Sequence, residues 1–186
     1  MASPQVPIDV DPESGVWRTD GLPMLYVPRH FFINNHLAVE DALGRKAYAE
    51  LLYEAGYRSA YSWCEKEART HGLGGFDVFR HYMRRISQRG WGLFSVQRLD
   101  EAAGAATVRV DHSTFVEAFA QQPAREPTGG GGSPRLCYMF AGWFPGALAW
   151  AGQNLGRRPE LKSEELHCGA EAGQDHCLFE TRAAQP

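Results

Sequence analysis

Glu165-Leu-His-Cys168-Gly-Ala-Glu-Ala-Gly-Gln-Asp-His-Cys177-Leu-Phe179 carries the strongest structural signal of the chain, because it predicts a β-hairpin with a metal site at its turn. Two thiols flank a Gly-rich segment, and a carboxylate lies three residues before the first thiol. Cys137, farther back in the chain, supplies a fourth possible ligand. Zinc binds four sulfur, nitrogen or oxygen donors in a tetrahedron, so these residues form a complete ligand set.

The same thiols are also compatible with a disulfide or with reduced cysteines buried in the core. The N-terminus lacks the basic region and apolar core of a signal peptide, so we expect a cytoplasmic protein. Disulfides are rare in that compartment, which favours a structural zinc ion as the cofactor. His167 or His176 could replace one of the four ligands.

A family resemblance rests on two motifs. The run Cys137-Tyr-Met-Phe-Ala-Gly142-Trp-Phe-Pro-Gly146, followed by Glu165-x-x-Cys168 and then Cys177, is similar to the C-terminal half of the 4-vinyl-reductase domain. This domain forms the sensor half of activators that respond to aromatic effectors, such as the phenol and xylene regulators. It also stands alone in predicted hydrocarbon-binding proteins. The resemblance covers residues 25–182.

The resemblance implies an α+β fold, an antiparallel sheet with packed helices of the NO-signalling and Golgi-transport ligand-binding type. In the metal-containing members of the family, zinc is held by a Cys on the last helix, a Glu, and two Cys in the final hairpin. Those roles fall on Cys137, Glu165, Cys168 and Cys177. The family also implies a ligand cavity between the last helix and the sheet, and a dimer that involves the N-terminal segment.

Length and composition indicate one domain. With 186 residues, of which 44% are hydrophobic, the chain can fill a single core. We expect a flexible N-terminal arm over residues 1–21, a domain over 22–182 with a mobile Gly/Pro loop at 121–134, and a tail at 183–186. The net charge of −3 argues against direct binding of nucleic acid.

Periodicity and glycines predict the main secondary-structure elements. Helices are predicted over residues 39–71, with a break at Gly56, and over residues 77–89. Residues 90–99 and 106–111 alternate between apolar and polar side chains, which predicts a hairpin.

Residues 136–155 predict a buried helix with aromatic faces. Its uncharged part is shorter than the ~20 residues that a membrane span needs, and Pro145 interrupts it, so we expect no membrane insertion. Gly142 and Gly146 lie four residues apart on one face, where they allow another backbone to approach closely. Pro145 removes the hydrogen bond to the carbonyl of Ala141 and is expected to kink the helix.

The aromatic residues of this helix and of the hairpin form the candidate ligand site. We expect a small apolar or aromatic molecule in a cavity between these elements, enclosed by rings and oriented by a few polar groups. Core packing is the default for such residues, whereas in the resembled fold they line a cavity. The predicted lining residues are Trp91, Phe94, His112, Phe115, Tyr138 and Trp143.

Two classes of function fit these observations. The first is a zinc-containing module that binds or senses a small molecule as a homodimer, with Val16 and Trp17 packing on the second subunit, and acts through a separate partner protein. The second is an enzyme or accessory subunit of a catabolic or reductive pathway, such as methylated-glycine demethylation or tetrapyrrole vinyl reduction. The sequence shows neither a nucleophile triad nor a phosphate-binding glycine loop, which favours the binding module.

Overall fold

The structure is a computed structural model that describes residues 6–121, 135–157 and 160–184. Over these ranges the protein is mixed α+β, with two antiparallel sheets and packed helices. The predicted fold class is therefore confirmed. Residues 122–134, which make up nearly all of the predicted mobile loop, lie outside the described residues, as do the ends of the predicted arm and tail.

The N-terminal segment forms a small sheet. Its antiparallel strands are β1 (Asp9–Val10), β2 (Trp17–Thr19) and β3 (Leu22–Met24), in that order. The turn between β2 and β3 consists of Asp20 and Gly21, whose φ angles are 52° and 73°. Two consecutive positive φ angles are what a type I′ hairpin turn requires. The described part of the predicted flexible arm therefore contains strands, and the boundary of the arm stays a prediction.

Three helices follow, namely α1 (Arg29–Leu43), α2 (Arg45–His71) and α3 (Phe76–Gln88). The first two are separated by Gly44, whose φ of 79° suits glycine far better than other residues. The predicted helix break at Gly56 is wrong, because α2 continues through this residue. Gly56 instead serves close packing, since a Cβ atom at this position would lie 2.7 Å from Cδ1 of Trp143.

The larger sheet is built in the second half of the chain. Its strands and the helices between them are β4 (Leu93–Asp100), β5 (Ala105–Asp111), α4 (Thr114–Ala120), a 3₁₀ helix (Tyr138–Gly142), α5 (Trp143–Asn154), β6 (Leu161–His167) and β7 (Cys177–Ala183). The strand order is β4-β5-β7-β6, and all neighbours are antiparallel. Both predicted hairpins, β4 with β5 and β6 with β7, are confirmed.

The helix predicted over residues 136–155 is divided into a 3₁₀ helix and α5 at Gly142. Pro145 is the third residue of α5. In the first turn of an α-helix the backbone N–H has no partner within the helix, so proline is tolerated there. The expectation of a kink at Pro145 is therefore wrong. Instead, the helix changes from 3₁₀ to α geometry after Gly142.

The core lies where α5 packs on α2 and on the larger sheet. Phe144 of α5 contacts Phe179 of β7, with ring centroids 5.0 Å apart, and both are fully buried. Phe140 of the 3₁₀ helix is buried beside them. Among the described helices, none is both long and apolar enough to cross a membrane.

Candidate functional site

The four predicted metal ligands come together at one end of the larger sheet. Glu165 is near the end of β6, Cys168 follows that strand, and Cys177 begins β7. Cys137 immediately precedes the 3₁₀ helix and reaches the same point. One ligand atom from each residue lies within 4.8 Å of the others, and all four residues are buried. The arrangement could hold a metal ion.

The distances between the sulfur atoms fit a tetrahedral metal site. Cys177 Sγ lies 3.7 Å from Cys168 Sγ and 3.3 Å from Cys137 Sγ. Zinc–sulfur bonds of about 2.3 Å place two sulfurs of a tetrahedron about 3.8 Å apart, so small adjustments suffice. Oε1 of Glu165 is buried without a hydrogen-bond partner among the described residues, and it supplies the oxygen donor of the set.

Backbone amides support the sulfur ligands. The N–H of Leu136 donates to Cys168 Sγ at 3.4 Å, and the N–H of Gly169 donates to Cys177 Sγ at 3.3 Å. Such bonds stabilise negative charge on sulfur, which a metal-binding thiolate carries. One amide before the 3₁₀ helix and one in the hairpin turn therefore favour negative charge on two of the three sulfur atoms.

Protonation differs among the four groups. Hydrogen bonds from the Cys137 and Cys177 thiols lower the pKa of Cys168 to about 2. Burial raises the pKa of Cys137 well above its usual value. Burial, and next the charge on Cys168, raises the pKa of Glu165 to about 10. The hydrogen bonds thus favour negative charge on Cys168, and a dication would displace protons from the other groups.

The two histidines that could replace a ligand contact each other instead. His167 Nε2 lies 3.1 Å from His176 Nε2, and Nδ1 of His176 lies 2.6 Å from a carboxylate oxygen of Asp175. The group of four ligand atoms described above includes neither histidine.

Four of the six predicted ligand-site residues surround one buried ring. The centroid of the Phe140 ring lies 5.0 Å from that of Trp143, 5.2 Å from Phe94, 5.4 Å from Phe115 and 6.4 Å from Trp91. Trp91 and Trp143 also meet edge to face. The structure therefore brings these residues together as one aromatic cluster, and their role as ligand contacts stays a prediction.

Tyr138 lies beside this cluster and joins a buried polar pair on α1. Its hydroxyl donates to Glu40 and lies 3.1 Å from Nε2 of His36. Burial, and next the bond to Glu40, raises the pKa of Tyr138 above its usual value. Sequence reasoning did not connect His36 and Glu40 with each other or with Tyr138, although their four-residue spacing on one helix face is a visible signal.

His112 is separate from the aromatic cluster. Its side chain is 80% exposed and lies 3.6 Å from Glu117 of α4. Its φ of 53° marks the tight turn between β5 and α4. Its predicted role in orienting a ligand stays a prediction.

An aromatic-walled cavity of about 480 Å³ lies on the other side of Trp91, against the N-terminal segment. Its apolar walls come mainly from the residues after β3 and from the start of α1. Trp91 is shared by the cavity and the predicted ligand site. The lining residues are Met24, Leu25, Tyr26, Val27, Arg29, Phe32, Arg89, Gly90, Trp91 and Thr114.

Solved structures with this fold include two ligand-bound proteins. The phenol-responsive sensory domain of the transcription activator PoxR, crystallised with phenol, superposes with a TM-score of 0.72 over 95% of this chain and 84% of that chain, at 18% identity. Trafficking protein particle complex subunit 3 from Naegleria fowleri, covalently bound to palmitic acid, gives a TM-score of 0.54 over 84% of this chain and 95% of that chain, at 13% identity. At these identities the likeness shows a shared fold.

A family model adds a second comparison. The model described as Domain of unknown function (DUF5943) matches residues 2–97, which is just over half of the chain. The match is not to the 4-vinyl-reductase domain, so membership of that family is not confirmed. No curated protein matches the sequence.

Proposed function

This chain belongs to the DUF5943 family, and we propose that it is a binding or sensory module for a small apolar or aromatic molecule that acts through a partner protein. The observation that carries the proposal is the cavity of about 480 Å³ with Trp91 and Phe32 in its wall. Binding sites for small molecules are commonly 300–1,000 Å³ in volume and mostly apolar. The cavity is large enough for a one-ring compound.

The aromatic cluster links this cavity to the packed helices of the core. Trp91 contacts Phe32 at a centroid distance of 5.1 Å on the cavity side and Trp143 at 5.3 Å on the core side. A ligand that moves the Trp91 indole would therefore press on α5, which packs on α2. Rings packed edge to face transmit such a displacement because interiors are dense and hardly compressible.

The structural neighbours support the same proposal. One is a phenol-responsive sensory domain and the other carries palmitic acid, so the fold can enclose an aromatic or an aliphatic molecule in other proteins. Affinity in this chain would come mainly from apolar burial, at about 25 cal/mol per Å². We propose no chemical transformation of the ligand.

We further propose that Cys137, Glu165, Cys168 and Cys177 hold a structural Zn²⁺. Three thiolates and one carboxylate fill a tetrahedral shell and leave no position for water or substrate, as in structural zinc sites. Bound there, the ion would fasten the β6–β7 turn to the start of the 3₁₀ helix. All four cysteines of the chain are free thiols, which suits the reducing cytoplasm.

A homodimer is the third part of the proposal. Trp17 does have an internal partner, because it stacks on Tyr26 with ring centroids 5.7 Å apart. Beside this pair the surface exposes further apolar side chains, among them Leu25, Val27 and Phe31. Exposed apolar side chains of this kind are typical of an interface, and a second copy of the chain is the partner we propose.

Ligand binding can be tested with phenols, alkylbenzenes and fatty acids against the purified protein by calorimetry. We expect at least one class to bind, and we expect Trp91→Ala to weaken that binding by about tenfold or more through lost ring contacts. Trp143→Ala should also weaken it while the metal content stays unchanged. Tyr61→Ala is the matched control, because Tyr61 lies on α2 and lines a different surface pocket.

The proposal of a ligand-binding module fails if none of these compounds binds, or if Trp91→Ala and Tyr61→Ala weaken binding equally. Turnover of a bound compound by the purified chain alone would favour the alternative of an enzyme.

A further inference from the structure

A second group of potential metal ligands lies far along the chain from the cysteine cluster, where α2 meets α3. Glu67 and His71 are one turn apart at the end of α2, and His81 is in α3. One ligand atom from each lies within 4.8 Å of the others. Two imidazoles and one carboxylate are the donor set of many zinc and iron sites.

The distances between these atoms suit a common metal. Oε2 of Glu67 lies 2.8 Å from Nε2 of His81 and 3.3 Å from Nε2 of His71. Metal–ligand bonds of about 2.0–2.2 Å place neighbouring ligands about 2.8–3.1 Å apart in octahedral geometry and about 3.3–3.6 Å apart in tetrahedral geometry. Both histidine nitrogens therefore lie at ligand spacing from the Glu67 oxygen, and the three atoms lie within 4.8 Å of one another.

Glu67 is the reason to expect a cation here. The residue is completely buried, and its Oε1 atom has no hydrogen-bond partner among the residues that the structure describes. A buried carboxylate oxygen without a partner is unfavourable, and a bound cation would remove that cost. His71 is 30% exposed and gives the ion a route from solvent.

Asp20 supplies a fourth donor from the N-terminal sheet. It occupies the β2–β3 turn, its side chain is buried, and its Oδ1 lies 3.6 Å from Nε2 of His71. A small movement of the turn would bring this oxygen onto an ion held by the other three residues. The site would then join the N-terminal sheet to both helices.

The arginines around the cluster determine which ions it can hold. Arg85 pairs with Asp20 at 3.0 Å, and burial lowers the pKa of Arg89 nearby. Their charge opposes any cation, so ions held mainly by electrostatic attraction to oxygen, such as Mg²⁺ and Ca²⁺, are disfavoured. Ions that form strong bonds to imidazole nitrogen, such as Zn²⁺, Co²⁺ and Ni²⁺, remain.

Metal binding requires one proton to move. Nη2 of Arg84 lies 2.8 Å from Nδ1 of His81, and because arginine only donates, Nδ1 accepts. His81 therefore carries its proton on Nε2 and donates it to Glu67. In the metal-bound form the proton is on Nδ1, Nε2 binds the ion, and the exposed Arg84 side chain turns to solvent. Imidazole stays neutral throughout.

We propose that Glu67, His71 and His81, completed by Asp20, form a second site for a transition-metal dication. Its ligand residues belong neither to the lining of the proposed ligand cavity nor to the cysteine cluster. Because Asp20 precedes β3 and the cavity wall at Met24 by a few residues, an ion bound here would fix the wall against the core.

The absorption spectrum of bound Co²⁺ distinguishes the two sites. Co²⁺ bound by thiolates shows sulfur-to-metal charge-transfer absorption, whereas Co²⁺ bound by nitrogen and oxygen does not. We expect the chelator-treated protein to take up one Co²⁺ per chain without this absorption, in addition to any Co²⁺ that produces it. The His71→Ala variant should no longer bind the Co²⁺ that lacks the charge-transfer absorption, and it should still bind any Co²⁺ that shows it. His112→Ala, a change at another exposed histidine, should keep both.

A gain of affinity provides a test that misfolding cannot mimic. Arg84→Gln frees Nδ1 of His81 and removes a positive charge, so this variant should bind Co²⁺ at the nitrogen–oxygen site several-fold more tightly. The proposal is overturned if wild type takes up no Co²⁺ beyond the charge-transfer site, or if His71→Ala takes up as much as wild type. It is also overturned if Arg84→Gln leaves the affinity unchanged. Failure of the cysteine cluster to bind metal would abolish only the charge-transfer signal.

Discussion

Gly146 of α5 faces the carbonyl oxygen of Tyr57 on α2 so closely that a Cβ atom on Gly146 would lie 2.3 Å from that oxygen. Four residues earlier, at the end of the 3₁₀ helix, Gly142 faces the carbonyl of Tyr53 on α2, and a Cβ atom would lie 2.1 Å from the carbonyl oxygen. Two glycines four residues apart thus meet two carbonyls four residues apart. The two helices are in direct backbone contact, as the spacing of the glycines predicted.

Gly146→Ala should therefore destabilise the protein by about 2–3 kcal/mol, because the added methyl group cannot fit unless the helices move apart. Urea unfolding followed by circular dichroism measures the change in the free energy of unfolding. Gly74→Ala is the matched control, since a Cβ atom there would be 3.4 Å from the side chain of Asn154. It should change the free energy by less than about 1 kcal/mol.

The metal content should fall by about one ion per chain in Cys168→Ser, because the central thiolate of the cluster is lost. The melting temperature should fall with it. Elemental analysis of protein purified without added metal gives the stoichiometry. Cys64→Ala serves as the control, since Cys64 is buried in α2 away from the cluster, and its metal content should equal that of wild type. Equal metal content in Cys168→Ser and wild type would exclude this site.

Zinc affinity at the cysteine cluster should rise with pH. In the metal-free protein Cys137 and Glu165 hold protons, because burial raises the pKa of both groups, that of Glu165 to about 10. Zinc must displace these protons, so acid favours the metal-free form and base the bound form. The pKa of Cys177 is raised as well, so more than one proton is released on binding, and affinity should increase more than tenfold per pH unit between about pH 6 and about pH 8. Competition with a chromophoric chelator measures it, and a flat profile would refute the protonation scheme.

Replacing exposed apolar residues near the N-terminal sheet should dissociate the proposed dimer. Leu25 is 87% exposed and Phe31 is 56% exposed, so changing both to Ser should cost the folded monomer little. Light scattering at tens of micromolar should then show a monomer for the double variant and a dimer for wild type. Leu155→Ser, at an exposed leucine on the far end of α5, should remain dimeric. A wild-type monomer would disprove the proposal.

The cysteine cluster could be predicted because its signal is local. Three of its ligands flank one turn, and the spacing of Glu165, Cys168 and Cys177 alone restricts what they can do. The aromatic cluster was predicted in part, since periodicity identifies rings on a buried face but not the cavity beside them. That cavity depends on the irregular segment after β3, whose position is set by tertiary contacts.

Other features depended on partners distant in sequence. Gly56 resembles a helix breaker, and only its contact with Trp143 shows why glycine is needed inside α2. His36 and Glu40 are brought together with the hydroxyl of Tyr138, which lies far along the chain. The β2–β3 hairpin, by contrast, had a local signal, because Asp20-Gly21 is a pair that favours a two-residue turn.

Strand β7 lies between β5 and β6 although it follows both in the chain. During synthesis, β5 must therefore wait with one edge unpaired until β7 has left the ribosome. Pairings between distant segments form slowly, and open edges invite aggregation in the meantime. Because β7 begins with Cys177, the same strand completes both the sheet and the cysteine cluster. The sheet and the cysteine cluster should thus be completed in one step once β7 is available, and chaperones would act on the nascent chain before that step.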